Sequence, residues 1–156
     1  MYGMTLKKMK MHVSTQTRGT LRRLEPRDVS ICWGWCWYPR GKVYRYYVAE
    51  PYSLELSDGR RILLKPGMLT DGATCAPDLG DSYLYHDKLY CTHTFEDDIP
   101  CSREEADAVM EAVLRREGRT VYASIFSFFS WLNPFYVFSS AWKSAKEMGL
   151  QYHQDY

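Results

Sequence analysis

Between Arg119 and Lys143 the chain runs from Thr120 to Trp142 without one charged side chain. Nine aromatic residues fill much of that run: Tyr122, Phe126, Phe128, Phe129, Trp131, Phe135, Tyr136, Phe138 and Trp142. Its length matches the ~20 apolar residues that cross a bilayer. Three arrangements are open: two core helices, a lipid-interface or partner-docking surface, or a membrane span. Ser124, Ser127, Ser130 and Asn133 form a polar row at spacing three, and Pro134 interrupts the run. Both features argue against a span and suit two helices broken at Pro134.

Upstream, the periodicity changes twice. Val43-Tyr44-Arg45-Tyr46-Tyr47-Val48 is rich in β-formers, and Ser53 to Leu64 alternates around Asp58-Gly59, a hairpin turn signal. Pro66-Gly67 ends the hairpin, and Thr70 to Ser82 carries Gly, Pro and Asp throughout and reads as loop. Tyr83 to Cys91 predicts a short helix. The following helix has fuller local signals. Ser102-Arg103-Glu104-Glu105 fits a capping box, Ala106, Val109, Met110, Val113 and Leu114 form one apolar stripe, and Gly118 supplies a stop. These segments predict an α+β fold, an N-terminal antiparallel β-hairpin sheet packed on a C-terminal bundle of three to four helices. A chain of 156 residues holds one core. The expected division is a basic N-terminal arm over 1–28, a single α+β domain over 29–150 and a C-terminal tail over 151–156.

Net charge is only +1, yet the charges are segregated. Residues 1–45 carry ten Lys/Arg against Glu25 and Asp28, and residues 71–111 carry eleven Asp/Glu against Lys88 and Arg103. The basic arm suits phosphates or an acidic partner, with nucleic acid the less favoured of these, and the acidic middle suits a cation. Two solvated faces that meet each other are an equal reading. The five Cys (32, 36, 75, 91, 101) are odd in number, and Met1 to Met11 lacks the apolar core of a signal peptide. Mostly free thiols in a reducing compartment are therefore expected. Cys91 and Cys101 bracket an acidic loop and could pair in an oxidising medium. Cys32 and Cys36, four apart, with His93, leave a zinc site conceivable. The Trp33-Gly34-Trp35-Cys36-Trp37 run reads as a strand covering a core or an interface. His12, His93 and His153 read as surface residues.

Specific chemistry is argued by His86-Asp87-Lys88-Leu89-Tyr90, with Asp71 upstream and Asp107 downstream. A neutral imidazole accepts a proton near pH 7, and a hard carboxylate holds a cation. Asp107 borders the apolar stripe of its helix. A carboxylate buried there unpaired costs several kcal/mol, so a partner is expected, and His86 is the candidate. The bland alternative is a hydrogen-bonded structural His beside a solvated Asp87. No phosphate-cradling Gly loop, Ser nucleophile elbow or zinc protease signature is present. Glu96-Asp97-Asp98 lacks the Gly and terminal Glu of an EF-hand.

The series Leu63-Leu64-Lys65-Pro66-Gly67-Met68-Leu69-Thr70-Asp71-Gly72-Ala73-Thr74, then His86-Asp87-Lys88-Leu89-Tyr90, then Glu105-Ala106-Asp107 resembles the phage and prophage domain-of-unknown-function family 1353 over about residues 43–142. Thr74 and Cys75 depart from that family's usual Ser-Val. The resemblance implies a viral origin, a virion-associated protein among other virion proteins, and location in the virion or the host cytoplasm. It implies no particular activity.

More distantly, the His-Asp helix with a later Asp on an antiparallel helix is similar to the secreted phospholipase A2 family, especially its prokaryotic members. That resemblance implies a Ca²⁺-dependent lipid esterase. His86 would be the general base, Asp107 would fix its tautomer, Tyr90 would support Asp107, and Asp87, Asp71 and Gly72 would hold Ca²⁺. Tyr83, Leu84 and Tyr85 stand where those enzymes carry a Cys before the His, and their Gly-rich calcium loop is absent. The competing expectation is a non-catalytic virion component, docking through the basic arm and the aromatic C-terminal surface.

Overall fold

The computed structural model describes residues 9–24, 46–70 and 80–156. Asp71, Gly72, Cys32, Cys36, Cys75 and the tryptophan run at 33–37 lie outside the described residues. Within them the fold is α+β: two small antiparallel sheets in the N-terminal part and four helices in the C-terminal part.

The sheets are made from one bent ribbon. Strand β1 (Val13–Thr17) pairs with β4 (Tyr52–Leu56), and β2 (Thr20–Arg23) pairs with β3 (Tyr46–Glu50). The β1–β2 limb thus runs antiparallel to the β3–β4 limb, and both bend at the same level. Pro51 makes one corner, and Gly19 makes the other. A Cβ on Gly19 would stand 2.1 Å from the Glu50 carbonyl oxygen and 2.6 Å from that of Pro51, so only glycine lets the two corners nest. Each half then gains a third strand, β5 (Arg61–Leu64) on β4 and β6 (Leu69–Thr70) on β3.

The β4–β5 hairpin forms where alternation and Asp58-Gly59 predict it. Gly59 sits at φ +89°, and the Asp58 carboxylate accepts from the Arg60 amide at 3.0 Å. Leu54, Leu56, Ile62 and Leu64 all face inward and are buried. They meet Leu84, Tyr85 and Leu89 of α1 (Ser82–Thr92) and Ala106, Val109 and Val113 of α2 (Arg103–Arg116) in one core. Each fully buried leucine or isoleucine there contributes about 1.5–3 kcal/mol.

Two expected boundaries are corrected. The segment 13–23 is not an arm. Ladder hydrogen bonds to β4 and β3 satisfy its backbone, Val13 and Leu21 pack against the core, and Arg22 and Arg23 stay in solvent. Each of the two strands offers one apolar side chain, Val13 in β1 and Leu21 in β2, too few to announce a strand along the sequence. Residues 151–156 are likewise no loose tail. The Leu69 amide donates to the Gln151 carbonyl at 2.9 Å, the His153 amide donates to Gly67 at 2.7 Å, and the His153 ring stacks on Tyr47.

Helix α2 is capped as its sequence predicts. The Ser102 hydroxyl accepts from the Glu105 amide at 3.2 Å, and the Glu105 carboxylate accepts from the Ser102 amide at 2.9 Å. Helix α3 (Thr120–Leu132) ends at Asn133 in the left-handed region, and α4 (Val137–Met148) starts beyond a short turn at Pro134–Tyr136. The break at Pro134 is present, but α3 leaves most of its large side chains outside, with Phe126 half-buried against Met110 and Leu114. Its buried residues are Ala123, Ser127 and Ser130, while Val121, Ile125, Phe128, Trp131 and Leu132 are exposed. No helix among the described residues is long and apolar enough to cross a membrane.

Candidate active site

His86 and Tyr90 are four apart on α1 and so share one face of it. That face packs on α2, where Asp107 sits one turn after Arg103. Asp107 is only 4% exposed, and each of its oxygens takes two donors. Oδ1 accepts from His86 Nε2 at 2.8 Å and from the Tyr90 hydroxyl at 2.7 Å. Oδ2 accepts from an Arg103 guanidinium nitrogen at 2.8 Å and from the Ser130 hydroxyl of α3 at 2.5 Å. Three helices therefore converge on one carboxylate.

The electrostatics follow from that saturation. Burial pushes the Asp107 carboxyl up, but the hydrogen bond and charge of His86, with the Ser130 and Tyr90 hydroxyls, outweigh it and hold the group below its ordinary value. Burial, followed by the Asp107 charge, raises Tyr90 far above the usual phenol range, so it serves as a donor only. A carboxylate cannot donate, so Nε2 must carry the proton of the His86–Asp107 bond. In the neutral ring, the Nδ1 lone pair is then the acceptor. The His86 ring lies 4.0 Å from that of Tyr90 and meets the Phe126 edge at 5.5 Å. Its side chain is 14% exposed. These walls limit water around an imidazole whose tilt is already set.

Of the sequence-derived candidates, the structure brings His86, Tyr90 and Asp107 together. Asp87 points elsewhere, and the Thr70 hydroxyl donates to its Oδ2 at 3.5 Å. Thr70 directly precedes Asp71 in the chain, but Asp71 and Gly72 are outside the described residues. Asp87 supplies one hard oxygen donor of the kind Ca²⁺ prefers. The described residues hold no group of three or more His, Cys, Asp or Glu that could bind a metal. Cys91 and Cys101 are both buried and not joined in a disulfide, and burial pushes Cys101 up to about 12, so it stays protonated at neutral pH.

Arg103 and Ser130 were not singled out as site residues by sequence reasoning. Their signals were present: Arg103 stands at i−4 to Asp107, and Ser130 belongs to the uncharged run's polar row. His93, expected at the surface, is half-buried: its ring stacks on Trp142 at 3.6 Å, its Nε2 donates to the Trp142 carbonyl at 3.0 Å, and Trp142 in turn meets the Tyr90 ring edge-on at 5.0 Å. A cleft of about 200 Å³ lies between β5 and the C-terminal end of α1, lined by Lys65, Lys88, Phe95, Glu96 and Tyr152 among others, and His86 is not part of its wall. Lys88 there pairs with Glu96 and donates to the Leu63 carbonyl at 2.6 Å.

Compared with family models, curated proteins and solved structures, the chain finds no match in any of the three.

Proposed function

We propose that this chain is a virion-associated protein whose His86–Asp107 pair acts as the general base of an ester hydrolase of the phospholipase A2 type. The observation that supports this reading is the fourfold-bound Asp107, which holds Nε2 as donor and leaves Nδ1 to accept a proton. Water held at Nδ1 would lose its proton to the imidazole as its oxygen attacks the ester carbonyl. Asp107 would stabilise the imidazolium so formed, and Tyr90, Arg103 and Ser130 would keep that carboxylate in place. Asp87, with Asp71 and Gly72, would hold Ca²⁺, whose charge would stabilise the developing oxyanion.

The test is hydrolysis of a short-chain phospholipid in millimolar Ca²⁺ by wild type and His86→Gln. The expected loss is about 10²–10⁴-fold in rate, the usual worth of a positioned base, with unchanged thermal unfolding. Equal rates in the two proteins would remove the hydrolase reading.

A second reading is favoured by a different observation. The exposed aromatics of α3 suit a non-catalytic virion component that docks on partner subunits. Residues 13–23 are strands of the sheets, so they are not available as a free docking arm.

A further inference from the structure

We propose that the outer face of α3, together with the turn that follows it, docks onto an anionic lipid surface. This concerns where the protein sits and does not rest on the hydrolase reading.

Helix α3 is amphipathic in the reverse of the usual sense. A surface helix of a water-soluble domain turns its large apolar side chains to the core and polar ones to solvent. Here the fully buried residues of the inward stripe are Ala123, Ser127 and Ser130, at spacings of four and three, with one half-buried ring, Phe126, beside them. The opposite stripe is Val121, Ile125, Phe128 and Leu132, at spacings of four, three and four, and all four are exposed. Small residues against a neighbouring helix with large apolar ones outward is how helices pack when the outer medium is itself apolar. Water gives such a face nothing.

The turn after α3 extends the same surface. Phe135 is 90% exposed and Tyr136 75% exposed. Both hold positive φ, 53° and 56°, a left-handed conformation that side-chain-bearing residues rarely adopt. The backbone thus presents two aromatic rings outward at the end of the helix, beside the 65% exposed Trp131. Amphipathic aromatic rings of this kind settle at the boundary between headgroups and acyl chains.

Charge selects the lipid. From Arg119 to Lys146 there is no Asp or Glu, and the cations Arg119 and Lys143 flank the aromatic run. Within that interval no carboxylate opposes anionic headgroups, and the cations that bound it favour them. Length sets the depth. Thirteen residues at 1.5 Å each give about 20 Å, short of a hydrocarbon core of about 30 Å. The helix therefore lies in the interface and does not cross.

Vesicle flotation with the full-length protein tests this. Diether phosphatidylcholine vesicles, alone or with equimolar diether phosphatidylglycerol, cannot be cut by an esterase, so binding is read apart from hydrolysis. Wild type and His86→Gln should both float with the anionic vesicles and less with the neutral ones. Phe128→Ser/Trp131→Ser should lose about tenfold or more in partitioning while melting as wild type does. A second readout uses the unaltered protein: brominated acyl chains should quench its tryptophan fluorescence, and Trp131→Phe should remove that quenching. The proposal is overturned if wild type stays in the aqueous phase with anionic vesicles, or if bromolipid quenching is unchanged in Trp131→Phe. It is overturned equally if wild type is a dimer that Phe128→Ser/Trp131→Ser converts to monomer without vesicles, since the face would then be covered by a second copy of the chain.

Discussion

Helices α2 and α3 are adjacent, nearly equal in length, and packed against each other, yet they use burial in opposite ways. Helix α2 buries Val109, Val113 and Leu114, and it also buries one charge, Asp107, with four donors around it. Helix α3 buries little more than Ala123 and two serines. One of these, Ser130, completes the Asp107 cluster, while the Ser127 hydroxyl is buried with no hydrogen-bond partner among the described residues. Hydrophobicity alone therefore does not decide which side of a helix faces in. On α2 the apolar stripe and the packing partner agree. On α3 the side chains that are fully buried beside the Asp107 cluster are small, Phe126 is half-buried against His86, and most of the other large ones are left outside.

The contrast can be broken hardest at Asp107. Asp107→Ala should destabilise the fold by about 3–5 kcal/mol, because Arg103 loses its buried counter-charge and His86 and Tyr90 lose their acceptor. Urea unfolding at neutral pH checks this. The same experiment in acid sharpens it. The carboxyl is held below its ordinary value, so its contribution is present above about pH 4 and is lost as pH falls through the folded value. The stability gap between wild type and Asp107→Ala should accordingly shrink in acid; a gap that stays constant would mean the charge is not what stabilises.

Ser127→Ala should act in the other direction. Removing a buried hydroxyl without a partner should stabilise by up to about 1 kcal/mol, read as a small rise in urea midpoint with unchanged slope. A loss of stability of that size or more would reveal a partner for the hydroxyl. Ile125→Ser on the outer face should be the smallest effect, within about 0.5 kcal/mol. A loss of 2 kcal/mol or so would place Ile125 in a packed environment and not on an open face.

Much of the fold was legible because its signals are local. The α2 cap needs only Ser102 and Glu105, and the β4–β5 turn needs only Asp58-Gly59 between alternating residues. The site was legible in part. His86 and Tyr90 share a helical face at spacing four, and a carboxylate beside the α2 stripe required a partner. Arg103 and Ser130 were harder to see, since an exposed-looking Arg in a capping box and one Ser in a row of them have ordinary explanations. Strands β1 and β2 were missed because each carries a single apolar residue, Val13 or Leu21, too few to show an alternation that only the β3–β4 limb makes meaningful.

The sequence by itself determined the elements that close on themselves: the capped helix, the hairpin, and the helix break at Pro134. Their energies come from residues a few positions apart, so no distant partner is needed. Only the tertiary structure decided that Asp107 collects donors from three helices, that residues 13–23 belong to the sheets, and that α3 turns its aromatic side outward. Those outcomes depend on which surfaces have room for each other. That competition for space and hydrogen-bond partners is set across the whole fold, where spacing along the chain carries no record of it.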